Sequence, residues 1–177
     1  RHLPVMARRQ RQMCIRDRND ERIATLSWAS SLDSERALKS AEQGFDTWSK
    51  TPVKKRKEWM LILRDKILEK EEILRKSISY EMGKPYNATA EDVESITNSL
   101  KYYSDIIEDY QKDKEIIDPD GTHSHHLVSK PIGVVVAYLA WNFPLLNAGF
   151  KLGPALASGC SITVSYTHLR AHETMVD

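Results

Sequence analysis

Lys130 to Val164 reads K-P-I-G-V-V-V-A-Y-L-A-W-N-F-P-L-L-N-A-G-F-K-L-G-P-A-L-A-S-G-C-S-I-T-V, and this stretch decides the fold. Ile132 to Leu139 is a short, β-branched apolar run of the kind that forms a buried, parallel-type strand. Trp141-Asn142-Phe143-Pro144 breaks it as a loop. Leu145 to Ser158 is rich in small residues and helical in pattern, and Gly159 closes it. Ser161 to Val164 then begins a second strand. Strand, loop, helix and strand in this order predict an α/β protein whose parallel sheet is only beginning.

Working outward, the preceding chain is helical. Asp33 is placed to cap a first helix that runs to about Lys50, with Glu35 in its first turn. Thr51-Pro52 reads as the N-cap and first position of a second helix. Trp59, Leu63 and Ile67 recur every four residues and predict one apolar face, repeated by Leu74 and Ile78 after a break near Glu69. Gly83 sits where a left-handed cap belongs, and Pro85 blocks continuation. A third helix begins near Asn87, with a stripe of Val93, Ile96, Leu100, Tyr103, Ile107 and Tyr110 that reads as core packing. Asp118-Pro119-Asp120-Gly121 is a turn signal, joining Glu115–Ile117 to a strand within Thr122 to Lys130 as a hairpin. Trp28 lies in a short apolar patch, and residues 1–20 show neither helical nor strand period.

The 177 residues carry a formal net charge of +1, with 41% apolar and 29% charged residues, which is ordinary for a globular protein and excludes a disordered one. A net of +5 over residues 1–18 and −1 over 165–177 leave the body at −3. Nothing in that body asks for nucleic acid, and the Arg-rich arm has neither the period nor the aromatic interleaving of a nucleic-acid or membrane tether. The longest apolar run, Ile132 to Phe150, is interrupted by Asn142, Pro144 and Asn147, so no membrane span is expected. Two cysteines make no disulfide framework, and a reducing cytoplasm is the expected location.

With its flanks in register, the Lys130–Val164 segment resembles the aldehyde dehydrogenase superfamily. That family shows a strand opening P-x-G-V, the loop P-W-N-F-P, a helix with K-x-x-P-A-L-A-x-G and a strand ending at lysine. The helix with Phe45 and Trp48, Arg56 after Thr51-Pro52, and Glu81-Met82-Gly83-Lys84-Pro85 resemble its N-terminal helical region. The resemblance covers most of the chain in one continuous order. It implies an N-terminal helical region and a hairpin leading into the first strand–helix–strand of a Rossmann-like cofactor-binding domain, truncated. It also implies oxidation of an aldehyde to a carboxylic acid with NAD or NADP as cofactor. The A-L-A-S-G-C ending is similar to semialdehyde-oxidising members such as succinate-semialdehyde dehydrogenases.

The resemblance assigns roles to individual residues. Thiolate addition to an aldehyde puts negative charge on the carbonyl oxygen, and a fixed donor there is worth about 3 kcal/mol of transition-state stabilisation. The side-chain amide of Asn142 matches that donor, although an asparagine before Phe-Pro can also simply satisfy a loop. Lys151 matches a lysine near the general base, where a cation biases proton transfer; its other reading is a solvated helix lysine. Leu139, Ala140, Trp141 and Asn142 match the border of the nicotinamide. Phe143 matches a wall of the aldehyde tunnel, with Asn147 one helical turn on. The family usually has proline where Ala140 stands and an adenosine-binding lysine where Ser165 stands. Its glycine-containing cofactor loop, base glutamate and nucleophilic cysteine lie further on.

Residues 21–164 are therefore expected to be the N-terminal part of an aldehyde dehydrogenase cofactor-binding domain. Residues 1–20 are expected to be a non-native arm and residues 165–177 a non-native tail. The 115–130 hairpin is expected to serve oligomerisation into a dimer or tetramer, and the chain alone is expected to be inactive. Cys160 opens a buried strand and reads as a small hydrophobe with nothing beside it to lower its pKa; Cys14 has no role. His123 and His125 share a strand face beside His126, but two ligands do not make a metal site, and no carboxylate completes a set nearby. The alternative reading of the whole is a non-catalytic helical interaction module.

Overall fold

A computed structural model describes residues 12–16, 22–27 and 29–166. Trp28, the ends of the arm and the segment after Tyr166 lie outside the described residues. The first elements are β1 (Gln12–Arg16) and β2 (Arg22–Ser27), an antiparallel pair. The arm had shown no strand period, so β1 is a departure from expectation. Backbone pairing by itself does not require an alternating apolar pattern, and Arg22, Ala24 and Thr25 of β2 are exposed.

Helices follow: α1 (Ser31–Trp48), α2 (Val53–Glu69), α3 (Glu71–Met82), a 3₁₀ turn (Tyr86–Thr89) and α4 (Ala90–Tyr110). The cap of α1 is Ser30, not Asp33. Ser30 and Asp33 form a capping box, in which the Asp33 N–H donates to Ser30 Oγ at 3.3 Å and the Ser30 N–H donates to Asp33 Oδ2 at 2.9 Å. Pro52, with extended backbone, is the residue before α2, one position later than the sequence suggested. Gly83 adopts φ 71° and ends α3 as expected.

The core sits between α2, α4 and α5 (Pro144–Ser158), where Met60, Ile96, Leu100, Ile107 and Ala157 are buried together. Its α2 face is Val53, Met60, Leu63 and Ile67, with Arg56 in the same stripe. Trp59 is therefore a correction. It lies about 100° of helix from Met60, beyond Leu63 at the outer edge of that stripe, and is 56% exposed. Tyr110, the last residue of α4, is likewise exposed.

The small residues of α5 have a steric cause. A Cβ on Gly149 would lie 2.8 Å from Ile96 Cα, and one on Gly153 would lie 2.8 Å from Tyr103 Cδ2. The Ser99 hydroxyl donates to the Gly149 carbonyl at 2.7 Å, across the same contact. Glycines four apart on one face let α5 approach α4 backbone to backbone.

β3 (Lys114–Ile117) and β4 (Ser124–Leu127) form the expected hairpin, exposed along both strands. β5 (Val134–Leu139) and β6 (Ser161–Tyr166) pair in parallel around α5, in register from Val134↔Ser161 to Leu139↔Tyr166. β5 was expected to be buried throughout. Only Ala137 and Leu139 are; Val136 and Tyr138 are exposed, because among the described residues the sheet has two strands and leaves part of its surface uncovered. No described helix is long and apolar enough to cross a membrane.

Candidate active site

The loop 140–143 joins the C-terminal end of β5 to the N-terminus of α5. In open parallel sheets this is the edge at which ligands bind. Leu139 is 7% exposed and anchors the loop to the core, while Ala140 and Asn142 face solvent. Phe143 has φ −145° and precedes Pro144, whose fixed φ suits the first helical position and whose lack of an N–H costs nothing there.

Six of the seven residues named from the sequence are brought together. Leu139 to Phe143 are contiguous. Asn147 packs back on them: its Nδ2 donates to the Ala140 carbonyl at 3.4 Å, and its backbone N–H donates to the Phe143 carbonyl at 2.9 Å. Asn147 thus braces the loop. The side chain of Asn142 makes no hydrogen bond to a described residue and is free to donate outward. Lys151 stands apart, exposed on α5 and about 10 Å along the helix axis from Pro144 at 1.5 Å per residue.

One neighbour of the site, and one polar contact at the far end of α5, were not foreseen. Lys84, just after the Gly83 cap, places its Nζ 4.3 Å from the centre of the Phe143 ring. The same Nζ lies 2.5 Å from Oδ2 of Asp92, a wholly buried carboxylate in α4. The other is Arg56, 4% exposed, whose guanidinium donates to the Ala157 carbonyl at 2.8 Å and to Gln111 Oε1. Burial pulls the Arg56 guanidinium below its ordinary pKa, and the neighbouring Cys160 opposes that shift. A cation therefore stands beside Cys160, a contact with no signal in the sequence. The thiol is nonetheless 2% exposed and closed off behind Gly159. Both contacts link residues distant in sequence, so no periodicity announces them; the G-K-P triplet at the end of α3 was the available signal for Lys84.

At the hairpin, Asp118 receives both histidines, with His125 Nε2 3.1 Å from its Oδ1 and His123 Nδ1 3.7 Å from its Oδ2. A carboxylate therefore does approach the pair, contrary to the sequence reading, because the turn folds residue 118 back beside them. No group of three His, Cys, Asp or Glu side chains among the described residues is arranged to hold a metal.

The profile of the Aldehyde dehydrogenase family matches residues 5–171. Aminoaldehyde dehydrogenase 2 of Solanum lycopersicum is 30% identical over 166 residues, covering 92% of this chain and 33% of the relative. An aldehyde dehydrogenase of Vibrio cholerae is 36% identical over 137 residues, covering 77% of this chain and 27% of the relative. The crystal structure of betaine aldehyde dehydrogenase from Staphylococcus aureus with NAD+ superposes with a TM-score of 0.82 at 30% identity, covering 89% of this chain and 32% of that one. A 3,6-anhydro-L-galactose dehydrogenase complexed with NADP superposes with a TM-score of 0.82 at 30% identity, covering 91% and 34%. The chain thus spans about a third of the length of the relatives it matches. With its strand–loop–helix–strand unit, its W-N-F-P loop and these matches in agreement, the chain belongs to the aldehyde dehydrogenase family.

Proposed function

We propose that the chain supplies the oxyanion donor and one border of the nicotinamide site of an NAD- or NADP-dependent aldehyde dehydrogenase, which oxidises an aldehyde to a carboxylic acid. The observation that carries this reading is the placement of Asn142. Its side-chain amide is exposed, unengaged by any described residue, and held on a braced loop at the C-terminal end of a parallel strand. The braced loop sets where this donor sits, so the amide is at hand as charge develops on the carbonyl oxygen.

The residues present fit a nicotinamide along one side. Ala140 and Asn142 are exposed just beyond the strand end, where a flat ring can lie beside Trp141. When bound, the cofactor accepts a hydride. This chain's own residues orient and exclude: Trp141 and Leu139 border the ring, Phe143 walls the aldehyde, and Asn147 holds the loop. Lys151, exposed and further along α5, biases a proton near the base by its charge alone.

Oxidation also needs an activated thiolate. Cys160 is shut inside the fold, so the 177 residues by themselves bind without turning over. The substrate is an aldehyde; semialdehydes, aminoaldehydes and betaine aldehyde are the first to try. The exposed β3–β4 hairpin, with Ile116, Ile117 and Leu127 facing out, serves assembly into a dimer or tetramer. The location we assign is cytoplasmic, where Cys160 stays a free thiol. The core-facing stripes of α2, α4 and α5 pack on one another, which leaves the alternative of a non-catalytic helical module without a specific observation in its favour.

The test is to read the source DNA across codons 160–177 with long reads, express the complete frame found there, and assay aldehyde-dependent reduction of NAD+ and NADP+. The reading expects turnover by the complete protein and none by the 177 residues alone. A complete protein that reduces neither cofactor with any aldehyde would sink it.

A further inference from the structure

We propose that Lys84 is a positioning residue for the loop that bears Asn142, holding it through the ring of Phe143 while itself fixed by Asp92. The chemical importance of that loop rests on the function proposed above; the positioning itself does not.

Lys84 is held at both ends. Its backbone follows the left-handed Gly83 cap, and its carbonyl accepts the Ser79 hydroxyl at 2.8 Å. Its ammonium meets Asp92 Oδ2 at 2.5 Å, with only 12% of the lysine side chain and none of the aspartate side chain exposed. A lysine this well fixed has given up most of its rotamer freedom to the fold, so its charge is a fixed point and not a sweeping one. The face of the Phe143 ring lies 4.3 Å from that charge. The ring quadrupole attracts a cation there, more strongly where water is excluded.

Phe143 starts α5 without a side-chain cap, and the Asn147 bond to Ala140 is long at 3.4 Å. The Asp92–Lys84–Phe143 chain therefore connects α4, in the core, to the residue immediately after Asn142. A shift of residue 143 carries the adjoining backbone of Asn142 with it. Asp92 Oδ1 is buried without a hydrogen bond, so Lys84 is the carboxylate's compensating group and does not leave it readily.

The three phenylalanines and four tryptophans make the test specific. The full chain is labelled with fluorophenylalanine and with ¹⁵N-indole tryptophan, and the site signals are assigned by Phe143→Leu and Trp141→Phe. In Lys84→Met, the Phe143 fluorine and Trp141 indole signals are expected to shift or broaden. The Phe45 fluorine and the Trp48 indole, which donates to the Leu156 carbonyl at 2.9 Å, are expected to stay in place. Lys84→Arg is expected to restore the wild-type positions. Should Lys84→Met not fold, Lys84→Met with Asp92→Asn leaves no unpaired buried charge and reads the same signals. Independently, Phe143→Leu should remove an upfield ring-current shift from the Lys84 ε-methylene protons. Site signals that do not move, or an absent ring-current shift, overturn the proposal. So does movement of all the signals together, which marks a merely structural pair. None of these spectra involves cofactor or aldehyde, so failure of the proposed enzymatic reading leaves them unchanged.

Discussion

Arg56 Nη1, in α2, donates to the carbonyl of Ala157 in the last turn of α5, 2.8 Å away and out of contact with solvent. Gln111 closes the triangle, accepting from Arg56 and donating to the same carbonyl at 3.3 Å. A cation at a helix C-terminus satisfies a carbonyl that has no partner within the helix, and it opposes the negative end of the dipole. Gly159, with φ 86°, leaves the room: a Cβ there would sit 2.9 Å from Pro131 Cγ and closer still to the guanidinium. The clamp fixes where α5 stops, and hence where β6 begins to pair with β5.

Arg56→Met is accordingly expected to destabilise the chain by about 2 kcal/mol, the scale of a lost charge-assisted hydrogen bond that leaves its acceptor buried. Urea unfolding followed by circular dichroism measures it. Arg56→Lys should recover less than half, because an ammonium cannot serve Ala157 and Gln111 in the geometry of the planar fork. An unchanged midpoint in Arg56→Met would show that the clamp bears no load.

The α4–α5 contact predicts opposite outcomes for two glycine substitutions. Gly149→Ala drives a methyl against Ile96 backbone and should cost about 1–3 kcal/mol. Gly44→Ala, in the interior of α1, meets only Ser161 Cβ at 3.9 Å and should gain about 0.5–1 kcal/mol from helix propensity. Thermal unfolding of the two variants side by side decides it; equal effects would mean that the backbone approach is not tight.

Acid should fray α1 from its N-terminus. The Ser30 backbone N–H and then its hydroxyl, both bonded to Asp33, hold that carboxyl below its ordinary value of 3.8, with Arg36 adding a smaller pull. A lowered folded pKa means the contribution is complete above 3.8 and is lost as pH falls from there through the folded value. Carbon chemical shifts of Ser31 to Ser34 against pH report it, and Asp33→Asn should flatten the response. An Asp33 that titrates at or above 3.8 contradicts the capping box.

These residues also show how far the sequence could be read. Local rules found the caps at Gly83 and Gly159, the 118–121 turn and the strand–loop–helix–strand unit, because each is set by a few adjacent residues. Period alone misplaced Trp59, since Arg56 occupies a core-facing position that a hydrophobic pattern does not count. Long-range polar contacts, such as Arg56 with Ala157 and Lys84 with Phe143, have no local signature at all. At the site, the resemblance named the loop residues. Only the packing of Asn147 on Ala140 shows what braces them, and why Asn142 is left free.

The most direct measurement is the kcat of the complete enzyme carrying Asn142→Ala, set beside its unfolding midpoint. The account predicts a fall of about 10²–10³-fold in kcat, the usual effect of deleting one oxyanion donor, with the midpoint unchanged because the side chain is exposed and bonds no described residue. Activity within twofold of wild type, with the midpoint equally unchanged, would contradict it and leave Asn142 an ordinary loop residue.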